Sequence, residues 1–186
     1  MVRYIIYYFS ENVKKGELTM HSKIKKIVIA ALMTALVCVA TMIIKIPSPM
    51  KGYVNLGDCM VLLSAWILSP LYAFLAAGLG SALADLFSGY VIYAPATFVI
   101  KGAMTLVAFF IFKVMNKKIG KLSAELIGGV LAEAVMVGGY FVFEGFLYGF
   151  VPSLVNIPAN LVQGVAGIII GIILIKVIER TKLDLS

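Results

Sequence analysis

The chain has 186 residues, 62% of them apolar, with a formal charge of +7. Soluble domains hold only about 45–50% apolar residues, so this composition and a mean hydropathy of +1.04 exclude an ordinary water-soluble fold and indicate one compact membrane domain. The charge is no argument for nucleic acid. Lys23, Lys25 and Lys26, then Lys113, Lys117, Lys118 and Lys121, then Lys176, Arg180 and Lys182 all flank hydrophobic runs.

Residues 1–19 stand apart. Tyr4 to Phe9 is an apolar patch too short to cross a bilayer, and a polar stretch from Ser10 to Thr19 follows it. Met20 then opens MHSKIKKIVIAAL, which reads as a membrane-protein start. The first nineteen residues are either an interfacial helix or an upstream extension. Residues 20–186 form the membrane domain.

Span 1 runs from Ile27 to Ile46, about the 20 residues that a ~30 Å hydrocarbon core requires. Lys45, Pro47 and Pro49 end it in a loop, PSPMKGYVNLGD. The apolar run from Cys59 to Phe87 is too long for one helix, and Ser69-Pro70 divides it into a short span 2, to Leu68, and span 3, Leu71 to Phe87. Ser88 to Ala96 is a loop with aromatic anchors. Span 4 runs from Thr97 to Phe112, span 5 from Leu122 to Leu147 and span 6 from Ala159 to Ile178. The fold class is therefore all-α, a bundle of six transmembrane helices. The basic clusters put both termini in the cytoplasm and the loops after spans 1, 3 and 5 outside.

Six side chains that lipid should reject interrupt these spans: Asp85, Lys101, Glu133, Glu144, Asn160 and Gln163. An ionisable group at the bilayer centre costs at least ~2.5–3.5 kcal/mol on insertion scales, so such groups face a bundle interior and mark a ligand or ion path. Asp85, Lys101, Glu144, Asn160 and Gln163 fall within about two turns of the outer surface, at ~1.5 Å of rise per residue. Glu133 lies about three turns below Glu144. Asn55 and Asp58, on the first outer loop, can close over the same mouth, with Tyr90, Tyr93 and Tyr140 as aromatic walls. Such a pocket suits a small, flat, polar heterocycle.

Plainer readings stand beside this one. Lys101 and Asp85 either line the site or neutralise each other as an ion pair. Asn160 and Gln163 either bind ligand or join helices, and Tyr90 and Tyr93 can be interfacial anchors. Ala31 and Ala35, four apart on span 1, form a small-xxx-small pair for which internal packing is a sufficient account. Cys38 and Cys59 read as buried free thiols, and no residue spacing suggests a metal. The chain carries no Gly-rich phosphate loop with Lys-Ser/Thr and no HExxH or GxSxG. Two other function classes are a small intramembrane enzyme using Asp85, Glu133 or Lys101 on a lipid, and an ion-coupled channel-like protein using Glu133.

The segments KIKKIVIAALMTAL, GYVNLGDCMVLLSAWILSPLYAFLAAGLGSALADLFSGYVIYAPATFVIKG, AEAVMVGGYFVFEGFLYG and NIPANLVQGVAG carry a resemblance over residues 20–180. They are similar to the substrate-binding S components of energy-coupling factor (ECF) vitamin transporters, most of all to the pyridoxine and hydroxymethylpyrimidine subgroup. The resemblance implies a six-helix bundle in a prokaryotic plasma membrane that binds a vitamin from outside and has no enzymatic activity or cofactor of its own. It implies a T component and two ABC ATPase subunits as partners, which consume the ATP. Ala31 and Ala35 map onto the family's contact with the T component. Transport would proceed by toppling of the bundle, with residues 47–58 as a lid that is mobile without ligand. The expected cargo is vitamin B6, with hydroxymethylpyrimidine, thiamin and riboflavin as alternatives.

Overall fold

The computed structural model describes the backbone of residues 2–48 and 52–181 and the side chains of these residues from residue 23 onward. The side chains of the N-terminal nineteen residues, and positions 49–51 of the expected lid, lie outside the described residues. Helix α1 runs from Val2 to Ile43, so the backbone of the N-terminal segment continues directly into the first span. Two three-residue strands follow, β1 (Lys45–Pro47) and β2 (Tyr53–Asn55), then α2 (Gly57–Ile67), α3 (Pro70–Phe87), α4 (Ala94–Ile119), α5 (Lys121–Tyr148), the short α6 (Phe150–Ser153) and α7 (Ile157–Arg180).

Five of these helices are long and apolar enough to cross a membrane, α1 through its segment Lys23–Ile43. Helix α2 is the exception. Its eleven residues rise about 16 Å, roughly half of a ~30 Å core, so the expected second span is a half-span. Its C-terminal stop is local: Leu68 and Ser69 are extended, as the Pro70 ring demands of what precedes it, and Pro70 then opens α3.

The loop after span 1 is a β-hairpin. Strands β1 and β2 pair antiparallel with Lys45 opposite Asn55 and Pro47 opposite Tyr53, and Ser48 N–H donates to the Gly52 carbonyl at 2.9 Å. The second strand of the hairpin packs against α1 and α7. Gly57 is obligatory there, because a Cβ would lie 2.0 Å from Thr41 Oγ1. The Gly57 N–H donates to the Asn55 side-chain oxygen at 2.8 Å, tying the end of β2 to the first turn of α2.

Helix α3 packs between α1 and α4, α4 packs on α5, and α7 closes the bundle against α2 and α5. Val37, Leu62, Ala77, Met104, Ala132, Met136 and Ile168 form the central core. Ala30, Met33, Leu63, Ala73, Ala76 and Ile175 form a second apolar cluster. Beyond Tyr148 the chain turns at Gly149, whose φ of +94° suits glycine, and α6 and a 3-10 turn (Leu154–Asn156) lead into α7. The C-terminus of α3, the N-termini of α4 and α7, the C-terminus of α5 and the hairpin therefore meet at one end of the bundle.

Candidate functional site

A cleft opens at this hairpin end. Its cavity volume is about 30 Å³, and Tyr53, Asn55, Asp85, Tyr90, Tyr93, Thr97, Tyr140, Glu144, Asn160 and Gln163 contribute to its lining. Seven of the ten expected site residues are thus brought together: Asn55, Asp85, Tyr93, Tyr140, Glu144, Asn160 and Gln163. Asp58, Lys101 and Glu133 are not among the lining residues.

Asp58 is placed differently from the sequence expectation. It belongs to the first turn of α2 rather than to a loop closing the mouth, and its exposure is 0%. The alternative Lys101–Asp85 ion pair does not form, and Lys101 does not line the cleft either. Lys101, 3% exposed on α4, makes its salt bridge with Asp58 Oδ1. Gln163 Nε2 donates to the other oxygen, Asp58 Oδ2, at 2.6 Å, and Gln163 Oε1 accepts the Asn55 N–H at 2.8 Å. One amide thereby joins α7, the hairpin and the buried ion pair. This is the floor of the cleft, and both Asp58 oxygens are bonded in it.

Glu133 lies under the same floor, within electrostatic reach of Asp58 and Lys101. It is 6% exposed, and neither carboxylate oxygen has a hydrogen-bond partner. Glycines make room for it, since a Cβ at Gly164 or Gly167 would approach Glu133 oxygens at 3.1 Å. Gly167 also clears Asp58, whose Cβ would stand 2.8 Å away.

The wall is looser. Tyr53 OH donates to Asp85 Oδ1 at 2.6 Å, Thr97 lies alongside the same carboxylate, and Asp85 Oδ2 has no hydrogen-bond partner. Glu144 accepts from Asn156 Nδ2 at 2.9 Å and from Tyr93 OH at 3.4 Å. Tyr140 OH donates to Thr97 Oγ1 at 3.1 Å, and the Tyr140 ring stands 5.5 Å from the Lys101 ammonium. Tyr53, Tyr90, Tyr93 and Phe143 continue as an aromatic ladder with successive centroids 4.7, 6.2 and 5.3 Å apart. Burial, then the charge of Asp85, pushes the Tyr53 phenol well above its ordinary range. Burial and the neighbouring Tyr148 and Glu144 do the same for Tyr93. Both phenols stay protonated at physiological pH and act as donors.

The sequence reading missed Tyr53, Thr97 and Asn156. The first two sit where span ends carry ordinary interfacial residues. Asn156 had a usable signal, because it lies four residues before Asn160 and so shares a helical face with it. Among the described residues no cluster of three or more His, Cys, Asp or Glu is arranged to hold a metal ion. Ala31 and Ala35 are exposed on α1, whereas Ala30 and Met33 are buried, so internal packing does not account for the Ala31–Ala35 pair.

Comparison with known proteins decides the family. The family model described as "ECF-type riboflavin transporter, S component" matches residues 21–180. The chain belongs to the ECF transporter S components. Like them it is a membrane-embedded transport subunit and not an enzyme, and such subunits work with a T component and ATPases.

Two sequence relatives and two solved structures frame this S component. An uncharacterised Pyrococcus woesei protein is 40% identical over 73% of this chain and 88% of its own length. The thiamine precursor transporter HmpT of Lactococcus lactis subsp. cremoris (strain MG1363) is 27% identical over 87% of this chain and 92% of its own. The S component of a bacterial ECF transporter superposes with a TM-score of 0.70 at 23% identity, covering 86% of this chain and 98% of that one. The S component for biotin from an ECF-type ABC transporter gives 0.62 at 19%, covering 86% and 93%. At these identities the two structures speak for the fold alone.

Proposed function

We propose that this S component captures a small six-membered nitrogen heterocycle, either the hydroxymethylpyrimidine precursor of thiamine or a B6 vitamer, in the cleft at its hairpin end. The observation that carries the reading is the convergence of Asp85, Glu144, Asn160, Gln163 and four tyrosines on one small opening. Protonated phenols and carboxylates complement hydroxyl and ring-nitrogen groups, and the aromatic ladder offers faces on which a ring can stack. Two sources support the two cargoes. The relative HmpT is a thiamine precursor transporter, and residues 20–180 resemble the pyridoxine and hydroxymethylpyrimidine subgroup.

In this reading the hairpin end faces outside and both termini face the cytoplasm, which the placement of the basic clusters supports. The exposed pair Ala31 and Ala35 receives the T component, and two ABC ATPases drive toppling of the bundle in a prokaryotic plasma membrane.

Denaturing mass spectrometry of small molecules released from detergent-purified protein, followed by titration, tests the cargo. The panel is hydroxymethylpyrimidine, pyridoxine, pyridoxal, pyridoxamine, thiamin and riboflavin. Stoichiometric, nanomolar binding of a pyrimidine or B6 compound is expected. Tight binding of riboflavin alone would overturn the single-ring assignment.

A further inference from the structure

The cleft's volume of about 30 Å³ is room for about one water molecule, far below the ~300–1,000 Å³ of a typical ligand pocket. Resting on the reading of this cleft as the capture site, a ligand ring enters only when part of the lining moves. A second cavity of about 440 Å³ adjoins it, lined by Gly89, Tyr90, Val91, Ile92, Tyr93 and Tyr148. Tyr90 and Tyr93 line both, so these two side chains are the partition between them.

Tyr93 is the member of the pair with two places to go. Its backbone is held, since the Tyr93 N–H donates to the Tyr90 carbonyl at 2.9 Å and the Thr97 N–H donates to the Tyr93 carbonyl at 2.8 Å. Its phenol has a partner in each cavity. Glu144, which lines the cleft, accepts from Tyr93 OH over a long 3.4 Å. Tyr148, which lines the second cavity, is a hydrogen-bond partner of the same phenol. A phenol carries one proton, so Tyr93 donates to one of the two at a time. Tyr53 and Tyr140 are placed otherwise. They donate to Asp85 at 2.6 Å and to Thr97 at 3.1 Å, and neither is among the described residues that line the second cavity.

We propose that Tyr93 is a swinging partition that sets how large a ligand the cleft accepts. Its ring turns into the second cavity, its O–H passes from Glu144 to Tyr148, and the ligand takes the vacated space and the released Glu144 oxygen. The space given up is that of one phenol ring. The cleft therefore admits a ligand of one six-membered ring, and a second ring is excluded while Tyr93 is in place.

The experiment uses the full chain in detergent, with hydroxymethylpyrimidine and pyridoxine as single-ring probes and thiamin as a two-ring probe. A 3-fluorotyrosine at position 148, outside the cleft lining, should shift its fluorine resonance when a single-ring probe saturates the site. Tyr148→Phe should weaken binding of that probe by about threefold to tenfold. Tyr93→Ala should narrow the preference for the single ring over thiamin by about tenfold or more. Ligand-free thermal unfolding checks the fold of both variants, and the fluorine readout stands without either. An unmoved resonance, or unchanged affinity in a folded Tyr148→Phe variant, overturns the swing. A wild-type chain that binds thiamin as tightly as the single rings, or a folded Tyr93→Ala variant that keeps the wild-type preference, overturns the size limit. If none of the three probes binds the wild-type chain, the proposed function itself falls, and the partition with it. Binding with an unmoved resonance removes the partition alone.

Discussion

The floor and the wall of the cleft treat buried charge in opposite ways. On the floor, Asp58 has both oxygens engaged, one by Lys101 and one by Gln163, and Gln163 is itself held by the Asn55 N–H. On the wall, Asp85 is almost as buried but keeps one oxygen without a partner. A buried acceptor left open carries a desolvation cost, which a fold tolerates where something else is to fill it. The floor is therefore read as structure and the wall as the recognition surface, although both are built from the same residue types. Glu133 stands between the two cases, since it lies with the floor but has neither oxygen bonded.

The most severe break of this comparison is Lys101→Met. It strands Asp58 with one amide partner in a fully buried position, and loss of one partner of such a pair costs about 3–5 kcal/mol. A large drop in the thermal midpoint of the detergent-solubilised protein is expected even without ligand. The double variant Lys101→Met, Asp58→Leu should recover much of it. A single variant as stable as the wild type would mean that the floor is not structural.

Gln163→Leu is the next step down. It removes the acceptor of the Asn55 N–H and the donor to Asp58, each a buried group whose loss of partner costs about 1–3 kcal/mol. The hairpin should loosen as well, so amide exchange at Asn55 should accelerate relative to the centre of α4. Unaltered exchange there would show that Gln163 does not fasten the hairpin.

Much of this architecture was legible in the sequence because lipid imposes strong rules. Spans 1, 3, 4, 5 and 6 correspond to α1, α3, α4, α5 and α7, and exclusion of polar groups from lipid singled out Asp85, Glu144, Asn160 and Gln163. The hairpin was not legible, since two strands of three residues are too short to show an alternation. That omission misplaced Asp58. With NLGD read as a loop, the aspartate was set over the mouth, whereas Gly57 lets the chain approach α1 closely and Asp58 becomes part of the floor. The partner of Lys101 was undecidable for a related reason. Asp58 and Asp85 both precede it in the chain, and only the half-length of α2 brings Asp58 to it.

A smaller effect comes from Tyr53→Phe, which keeps the ring of the aromatic ladder and deletes the donor to Asp85. The net loss of such a bond to a carboxylate is about 1.5–3 kcal/mol, with little change in the packing of Tyr53 against Tyr90. The informative readout is affinity rather than stability. If Tyr53 orients Asp85 towards the cleft, ligand binding should weaken severalfold. Unchanged affinity would show that this hydrogen bond does not shape the recognition surface.

The least effect on the fold is expected at the far side of α1. Ala31 is exposed and touches neither apolar cluster, so Ala31→Leu should shift the thermal midpoint by less than about 0.5 kcal/mol equivalent and leave ligand affinity unchanged. Uptake by cells that supply the T component and ATPases should nevertheless be lost, because a bulky side chain there prevents close helix approach in lipid. Ala35→Leu should behave alike, since it shares that face four residues on. The pairing of intact binding with absent transport separates a docking surface from a recognition surface. Normal uptake by both variants would assign this face of α1 to lipid alone and require the partner to dock elsewhere on the bundle.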